Sequence, residues 1–294
     1  MGKNKNENTK QKALIIIVII LALLLLGSRT CRLNYRNLIS DQRNFSSDIN
    51  HQANKDNLTT QNEETMPEIP QPDKNILLGK LSKSQKDSLL SRIDSKYANR
   101  EGMYMHKKAY NAFLKMHEAA GKDGVELIIV SAFRDFDHQK RIWDNKWTGR
   151  QLLSGNIIAT DIIDAEERAM EILKFSAMPG TSRHHWGTDI DLNSLNNNYF
   201  ASGRGMQEYE WLIEHAHKFG FCQPYTPKNE DRQSGYEEEK WHWSYKPVSS
   251  VYYKYFQQLV SYDDITGFEG QETALQLNII KNYVLTVNQQ CLNQ

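Results

Sequence analysis

Residues 28–74 run through Asn, Gln, Asp and Ser with little hydrophobic periodicity, which confines any packed fold to the sequence that follows. Met66-Pro67-Glu68-Ile69-Pro70-Gln71-Pro72 closes this stretch with a proline-studded, extended piece. Such a segment cannot bury enough apolar surface to offset its chain entropy, so it is predicted to be a disordered spacer. Ahead of it, a Lys-rich start (Lys3, Lys5, Lys10, Lys12) leads into an unbroken apolar run over residues 13–26, closed by Gly27. As a helix this run would span roughly 22 Å against a hydrocarbon core of ~30 Å. That length fits a secretory signal, or an anchor that draws on flanking residues. Residues 1–27 are therefore expected to be a signal peptide or membrane anchor; placement of the rest of the chain in the cell envelope, on the periplasmic or extracytoplasmic side, is an expectation that rests mainly on the chemistry of residues 131–242.

Charge selects no partner. Lys plus Arg (36) equals Asp plus Glu (36), so the basic excess of a nucleic-acid-binding domain is missing, and no nucleic acid is expected. Cys31, Cys222 and Cys291 are too widely spaced for a cysteine-based zinc site. Outside the cytoplasm, Cys222 and Cys291 either close a long loop as a disulfide or remain two solitary buried thiols.

Ordered sequence resumes near Ile76. Residues 107–120 place Ala109, Ala112, Phe113, Met116 and Ala120 on one helical stripe, with Gly121 as the stop. Residues 125–130 read as a buried strand leading into Ser131-Ala132-Phe133-Arg134. Asp137 is read as the cap of a helix over residues 139–147, and residues 166–175 and 207–219 as further helices, the last ended by Gly220. Strands are predicted over 187–192 and 240–245, and one helix over 272–285 in the tail. Helices and strands mix without a βαβ rhythm. The expected class is therefore α+β, a small, mainly antiparallel sheet surrounded by helices. The expected organisation is a signal peptide or membrane anchor (1–27), a disordered spacer (28–74), one main domain (75–262) and a C-terminal helical extension (263–294).

The densest polar cluster is Ser182-Arg183-His184-His185-Trp186-Gly187-Thr188-Asp189-Ile190-Asp191-Leu192. Imidazoles and carboxylates set in apolar company are costly to bury unless something binds them. On a strand, Asp189 and Asp191 share a face while Ile190 and Leu192 point into the core. A histidine in the preceding turn can then meet either carboxylate. The second cluster, Glu237-Glu238-Glu239-Lys240-Trp241-His242-Trp243, sets a histidine between two tryptophans, three residues after a carboxylate. Catalytic zinc needs three protein ligands, an open fourth position and a base. Together the two clusters can supply that count.

Ser182-x-His184-x-x-Gly187-x-x-x-Asp191 followed by Glu239-x-Trp241-His242 resembles the signature of VanY-like D-alanyl-D-alanine carboxypeptidases, zinc peptidases related to lysostaphin-type enzymes and the hedgehog domain. Ser131-Ala132-Phe133-Arg134, with Gln139 five residues on, is similar to the family's Ser-x-Tyr-Arg segment, and the likeness runs over roughly residues 77–262. The resemblance implies one Zn²⁺ on His184, Asp191 and His242, and Glu239 as the base that activates water and later protonates the leaving amine. It implies Arg134 as the group that stabilises the carbonyl oxygen or grips the substrate's terminal carboxylate, with Ser182 and Gln139 as further substrate contacts. The implied partner is the peptide stem of peptidoglycan. Two positions depart from the pattern: Asp189 stands where the family has a small apolar residue, and Phe133 replaces the usual Tyr. The motifs alone leave open an L,D-carboxypeptidase, an endopeptidase or a non-catalytic wall-binding module on the same scaffold. His106, His117, His138, His215 and His217 are read as surface or helix-end residues.

Overall fold

Short polar side chains set where the helices begin. The structure, a computed structural model, describes residues 69–230 and 232–292, all within one compact unit that spans Pro67–Gln294. The predicted membrane segment and nearly all of the predicted spacer lie outside the described residues. Asp73 accepts from the Ile76 amide at 2.9 Å to cap the single turn α1 (Lys74–Leu77), and Ser82 with Gln85 forms a capping box at the start of α2 (Lys83–Leu89). A small ribbon follows, β1 (Leu90–Arg92) paired antiparallel with β2 (Tyr104–His106). Helix α3 (Lys107–Lys122) buries Ala109, Phe113, Met116 and Ala120, while Ala112 is only half-buried. It runs past Gly121 and stops at Gly124, whose φ of +78° costs a glycine little and would strain other residues.

Only the end of the predicted strand 125–130 joins the sheet, as β3 (Ile129–Ser131). Just before it, the Ile128 amide donates to the Asn193 side chain at 2.6 Å, which takes the place of a ladder bond. Helix α4 (Phe136–Trp147) is capped by Asp135, not by Asp137: the Asp135 carboxylate accepts from the His138 amide at 2.9 Å, and Asp137 lies in the first turn. Asp164 caps α5 (Ala165–Leu173) in the same way. Then come β4 (Asp189–Leu192), α6 (Gly203–His215), β5 (Phe221–Cys222), β6 (His242–Tyr245) and α7 (Lys246–Leu259), with Pro247 tolerated in the first turn of α7.

The tail corrects an expectation. In place of one helix over 272–285 there is a short α8 (Thr273–Gln276) and a separate turn at Ile280–Val284. Asn278 between them sits at φ +53°, a left-handed conformation that ends a helix. The tail is nonetheless well anchored: Ile279, Val284 and Val287 are buried, and Cys291 bonds to Cys222, tying it to β5.

The main sheet has the order β3-β4-β6-β5 with antiparallel pairings throughout, as the α+β reading requires. Ile190, Leu192 and Trp243 pack with Phe113, Met116 and Leu212 in one core, on the side of α3 and α6. A second core collects Trp143, Ile172, Val248, Tyr252 and Phe256 from α4, α5 and α7. Alternation along β4 and β6 turns Asp189, Asp191, His242 and Ser244 away from the first core.

Candidate metal centre

Register brings the first two predicted ligands together. Asp191 of β4 lies directly opposite His242 of β6, and Ser131 of β3 lies opposite Asp191 on its other side. Facing residues on adjacent strands have Cβ atoms about 5 Å apart, close enough to share one ion. His184 arrives from the short 3-10 turn Arg183–Trp186, which Ser182 caps by accepting from the His184 amide at 3.3 Å. Gly187 ends that turn at φ +69°, and a Cβ there would stand 2.9 Å from Leu90 and 3.1 Å from the His106 amide nitrogen. Only glycine allows both the backbone conformation and the close approach, so the spacing between His184 and Asp191 depends on it.

The ligand atoms of His184, Asp191 and His242 lie within 4.8 Å of one another, and all three residues are buried. Each imidazole is oriented from its far side. His184 Nδ1 donates to the Ala132 carbonyl at 2.8 Å, which leaves Nε2 as a bare lone pair. His242 Nε2 donates to Asp189 Oδ2 at 2.9 Å, which leaves Nδ1 facing inward. Two buried atoms of the centre, His184 Nε2 and Asp191 Oδ1, have no hydrogen-bond partner among the described residues. Buried polar atoms are nearly always satisfied, so two orphaned acceptors converging on one point mark the place of a cation. Two imidazole nitrogens and one carboxylate oxygen are a zinc donor set, and the geometry fits that ion.

Electrostatics agree with the same reading. Burial and the Arg134 charge lower the His184 pKa, so this ring stays neutral and able to coordinate. Burial opposes ionisation of Asp191, but His184, His242 and Arg134 outweigh it and bring the carboxyl down to about 2. Burial also disfavours charge on His242, yet the hydrogen bonds it donates to Asp189 and Glu239 raise its pKa to about 9. A cation at Nδ1 would take the place of that proton.

Asp189 is fully engaged elsewhere and is therefore not a ligand. Besides His242, its Oδ2 accepts from Arg183 Nε at 2.9 Å, and its Oδ1 accepts from Ser244 Oγ and Thr188 Oγ1, each at 2.7 Å. Arg183 and Asp189 are 1% and 0% exposed, a buried ion pair behind the second histidine, and burial notwithstanding the Arg183 charge holds Asp189 well below the usual carboxylate range. A carboxylate behind a ligating imidazole fixes its tautomer and raises its basicity. His185 is likewise excluded as a ligand. Its Nδ1 donates to the Arg134 carbonyl at 2.7 Å and its Nε2 accepts from the Gly180 amide at 3.0 Å, so the ring is a strut between two loops.

Glu239 stands beside the ligand set, its Oε2 2.8 Å from His242 Nδ1. Its backbone is held from several directions: its amide donates to the Tyr225 carbonyl at 2.9 Å, and its carbonyl accepts from Gln223 Nε2 at 3.1 Å. Asn197 brackets it, donating to the Glu238 carbonyl at 2.7 Å and accepting from the Lys240 amide at 3.1 Å. Burial, reinforced by the Asp191 charge, raises the Glu239 pKa. Arg134 reaches in from the β3–α4 loop. Its Nη2 donates to Asp191 Oδ2 at 3.2 Å and its Nη1 to Gln139 Oε1 at 3.0 Å.

The structure thus assembles His184, Asp191, His242, Glu239 and Arg134 around one point. It gives Ser182 and Gln139 supporting positions. Gln139 is 0% exposed and hydrogen-bonds Arg134 and the Ala177 carbonyl. Ser182 is buried and caps the His184 turn. His106, expected at the surface, is also buried. Sequence reasoning missed Asn197, Gln223 and the Ala132 carbonyl, which act through backbone bonds that no motif spells out. Arg183 left one trace, an opposite charge beside Asp189 within the densest polar cluster.

The family model described as VanY, D-alanyl-D-alanine carboxypeptidase, matches residues 102–248. Similar proteins include YodJ of Bacillus subtilis (strain 168), a candidate carboxypeptidase, at 33% identity over 144 residues, 48% of this chain and 46% of that one. A D-alanyl-D-alanine carboxypeptidase of Enterococcus faecalis (strain ATCC 700802 / V583) is 30% identical over 144 residues, 49% of each chain. The chain spans about half the length of the curated relatives it matches. Among solved structures, a vancomycin-resistance D,D-pentapeptidase VanY variant in complex with Zn(II) is similar at 25% identity and TM-score 0.40, over 60% of this chain and 94% of that one. The matched span takes in both halves of the metal centre and the Arg134 segment, and the chain belongs to the VanY family of D-alanyl-D-alanine carboxypeptidases.

Proposed function

We propose that this protein is a zinc-dependent D-alanyl-D-alanine carboxypeptidase that trims the peptide stems of peptidoglycan. The observation that carries the proposal is the pair of orphaned buried acceptors, His184 Nε2 and Asp191 Oδ1, converging with His242 beside an unligated Glu239. When bound there, zinc supplies a Lewis acid that acidifies water and polarises a carbonyl. The residues of the chain do the rest. Glu239 takes the proton of the attacking water and returns it to the departing amine, a double duty that its raised pKa favours. Arg134, fixed in place by Gln139 and Asp191, faces the carbonyl oxygen as charge develops on it, with no reorganisation needed at that moment. Asp189 and Arg183 keep His242 in the tautomer that points Nδ1 inward.

The apolar run at residues 13–26 supports an extracytoplasmic enzyme tethered or exported through its N-terminus, with the polar stretch after it as a spacer toward the wall. Among the described residues no helix is long and apolar enough to cross a membrane.

Incubation of the purified protein with a stem peptide ending in D-alanyl-D-alanine, followed by mass spectrometry, tests the activity. Loss of one terminal alanine is expected. Glu239→Gln should slow that release at least ~10²-fold, the usual contribution of a positioned base. A variant that trims the peptide at the wild-type rate would remove Glu239 from the mechanism.

A further inference from the structure

Lys146, in the last turn of α4, is a partly buried cation with no ion-pair partner among the described residues. Its Nζ donates to Ser176 Oγ at 2.6 Å, and no carboxylate pairs with it among the described residues. Burial and the like charge of Arg134 pull its pKa below the ordinary lysine value, while Glu239 pulls the other way, so Lys146 and the centre feel each other's charge. An ammonium taken out of water with one neutral partner is costly, and an incoming anion would relieve that cost.

The segment at residues 175–177 links this lysine to the metal centre. The Phe175 ring packs against Trp241, the neighbour of His242, at a centroid distance of 6.1 Å. Ser176 holds the Lys146 ammonium. The Ala177 carbonyl accepts from Gln139 Nε2 at 2.8 Å, and Gln139 in turn holds Arg134. Lys146 and Trp241 also line a common cavity of about 560 Å³, whose walls include Leu153, Ile172 and Phe175. Ser154, Glu171 and Asn197 also line it, and Glu171 is paired with Lys174 at 2.6 Å, so Lys146 is the cation this cavity offers to a small residue that carries a free carboxylate. Arg134 does not fill that role, because two of its nitrogens are already bound to Gln139 and Asp191 within the centre.

We propose that Lys146, held by Ser176, forms the subsite that receives the free C-terminal carboxylate of the residue to be released. This rests on the peptidase reading above and deepens it: a lysine demanding a chain end makes the enzyme an exopeptidase. An interior peptide bond offers that subsite nothing to pair with.

The test compares an N-acetylated peptide ending in D-alanyl-D-alanine with the same peptide as its C-terminal amide, for the wild type, Lys146→Met and Lys146→Arg. Both cleavage and equilibrium binding are measured on the zinc-loaded full chain. The wild type should favour the acid. Lys146→Met should lower that preference roughly 10- to 100-fold, through loss on the acid alone, as expected for one charge-assisted hydrogen bond. Lys146→Arg should restore part of it. A Lys146→Met variant that keeps the wild-type acid-to-amide ratio, or loses equally on both peptides, overturns the proposal and leaves Lys146 a structural residue. If the wild type cleaves neither peptide, the peptidase reading has failed. Binding then decides the subsite on its own, since a preference for the acid that vanishes in Lys146→Met still supports it, and equal binding of acid and amide overturns it.

Discussion

Asp189 shows how much one buried carboxylate controls at this centre. It receives hydrogen bonds from His242, Arg183, Ser244 and Thr188, so it fixes the inward imidazole from behind while its own charge is balanced by a guanidinium. Asp189→Asn retains the volume but removes the charge that makes His242 a strong donor to metal. Zinc affinity, measured by competition with a chromophoric chelator, should fall about 10- to 100-fold. An unchanged affinity would mean that Arg183 and Asp189 serve the fold alone. The types of residue in the centre were legible in the sequence, since histidine and aspartate at that density demand a partner. Residue chemistry alone did not choose between the aspartates, because Asp189 and Asp191 share one face of β4; the family resemblance implied Asp191 through its offset from His184. The side-chain network points the same way: the Arg183 guanidinium occupies Asp189, and Asp191 keeps a bare oxygen turned toward two imidazoles.

At the scale of elements, the junction of β2 and α3 carries a pH dependence separate from the centre. His106 is buried against Tyr252 and caps α3, its Nδ1 accepting from the Lys108 amide at 3.2 Å. Burial, with Lys108 and Lys107 adding to it, lowers its pKa to about 4 against 6.5 for the free side chain. The unfolded chain therefore binds a proton more readily than the folded one between those values. The stabilisation from the neutral ring is complete above pH ~6.5 and is lost as the pH falls toward ~4. Urea unfolding at about pH 7 and about pH 5 should show a loss of about 2 kcal/mol from this residue, and His106→Asn should flatten that part of the slope while retaining a cap. Helix faces were legible, because the 3.6-residue period of Ala109, Phe113, Met116 and Ala120 has one good solution. Ends were less so. The sequence reading puts the cap of this helix at Asp137, and the chain turns into α4 two residues earlier, at Asp135. In the tail, a helical period over 272–285 is overridden by the single left-handed residue Asn278, a conformation that no apolar pattern reveals.

At the scale of the whole molecule, two hydrophobic cores flank the sheet, and the polar residues of β4 and β6 look away from the core under α3 and α6. That arrangement keeps the centre dry enough to strengthen every charge in it, while Arg134 and the cavity lined by Lys146 and Trp241 stand beside it. The Cys222–Cys291 bond joins the tail to β5, on the same sheet as His242. The α+β class followed from the mixture of short strands and helices in the sequence. The register Asp191↔His242, which makes the centre, arises from pairing between segments some fifty residues apart, and spacing alone does not determine it. The most direct test of the whole arrangement is the metal content of the purified protein after loading with zinc and exhaustive dialysis. One tightly held zinc per chain is expected, retained in Glu239→Gln and lost in His184→Ala and His242→Ala. A wild-type protein that holds no zinc after being supplied with it, or a His184→Ala variant that holds as much as the wild type, would contradict the assignment.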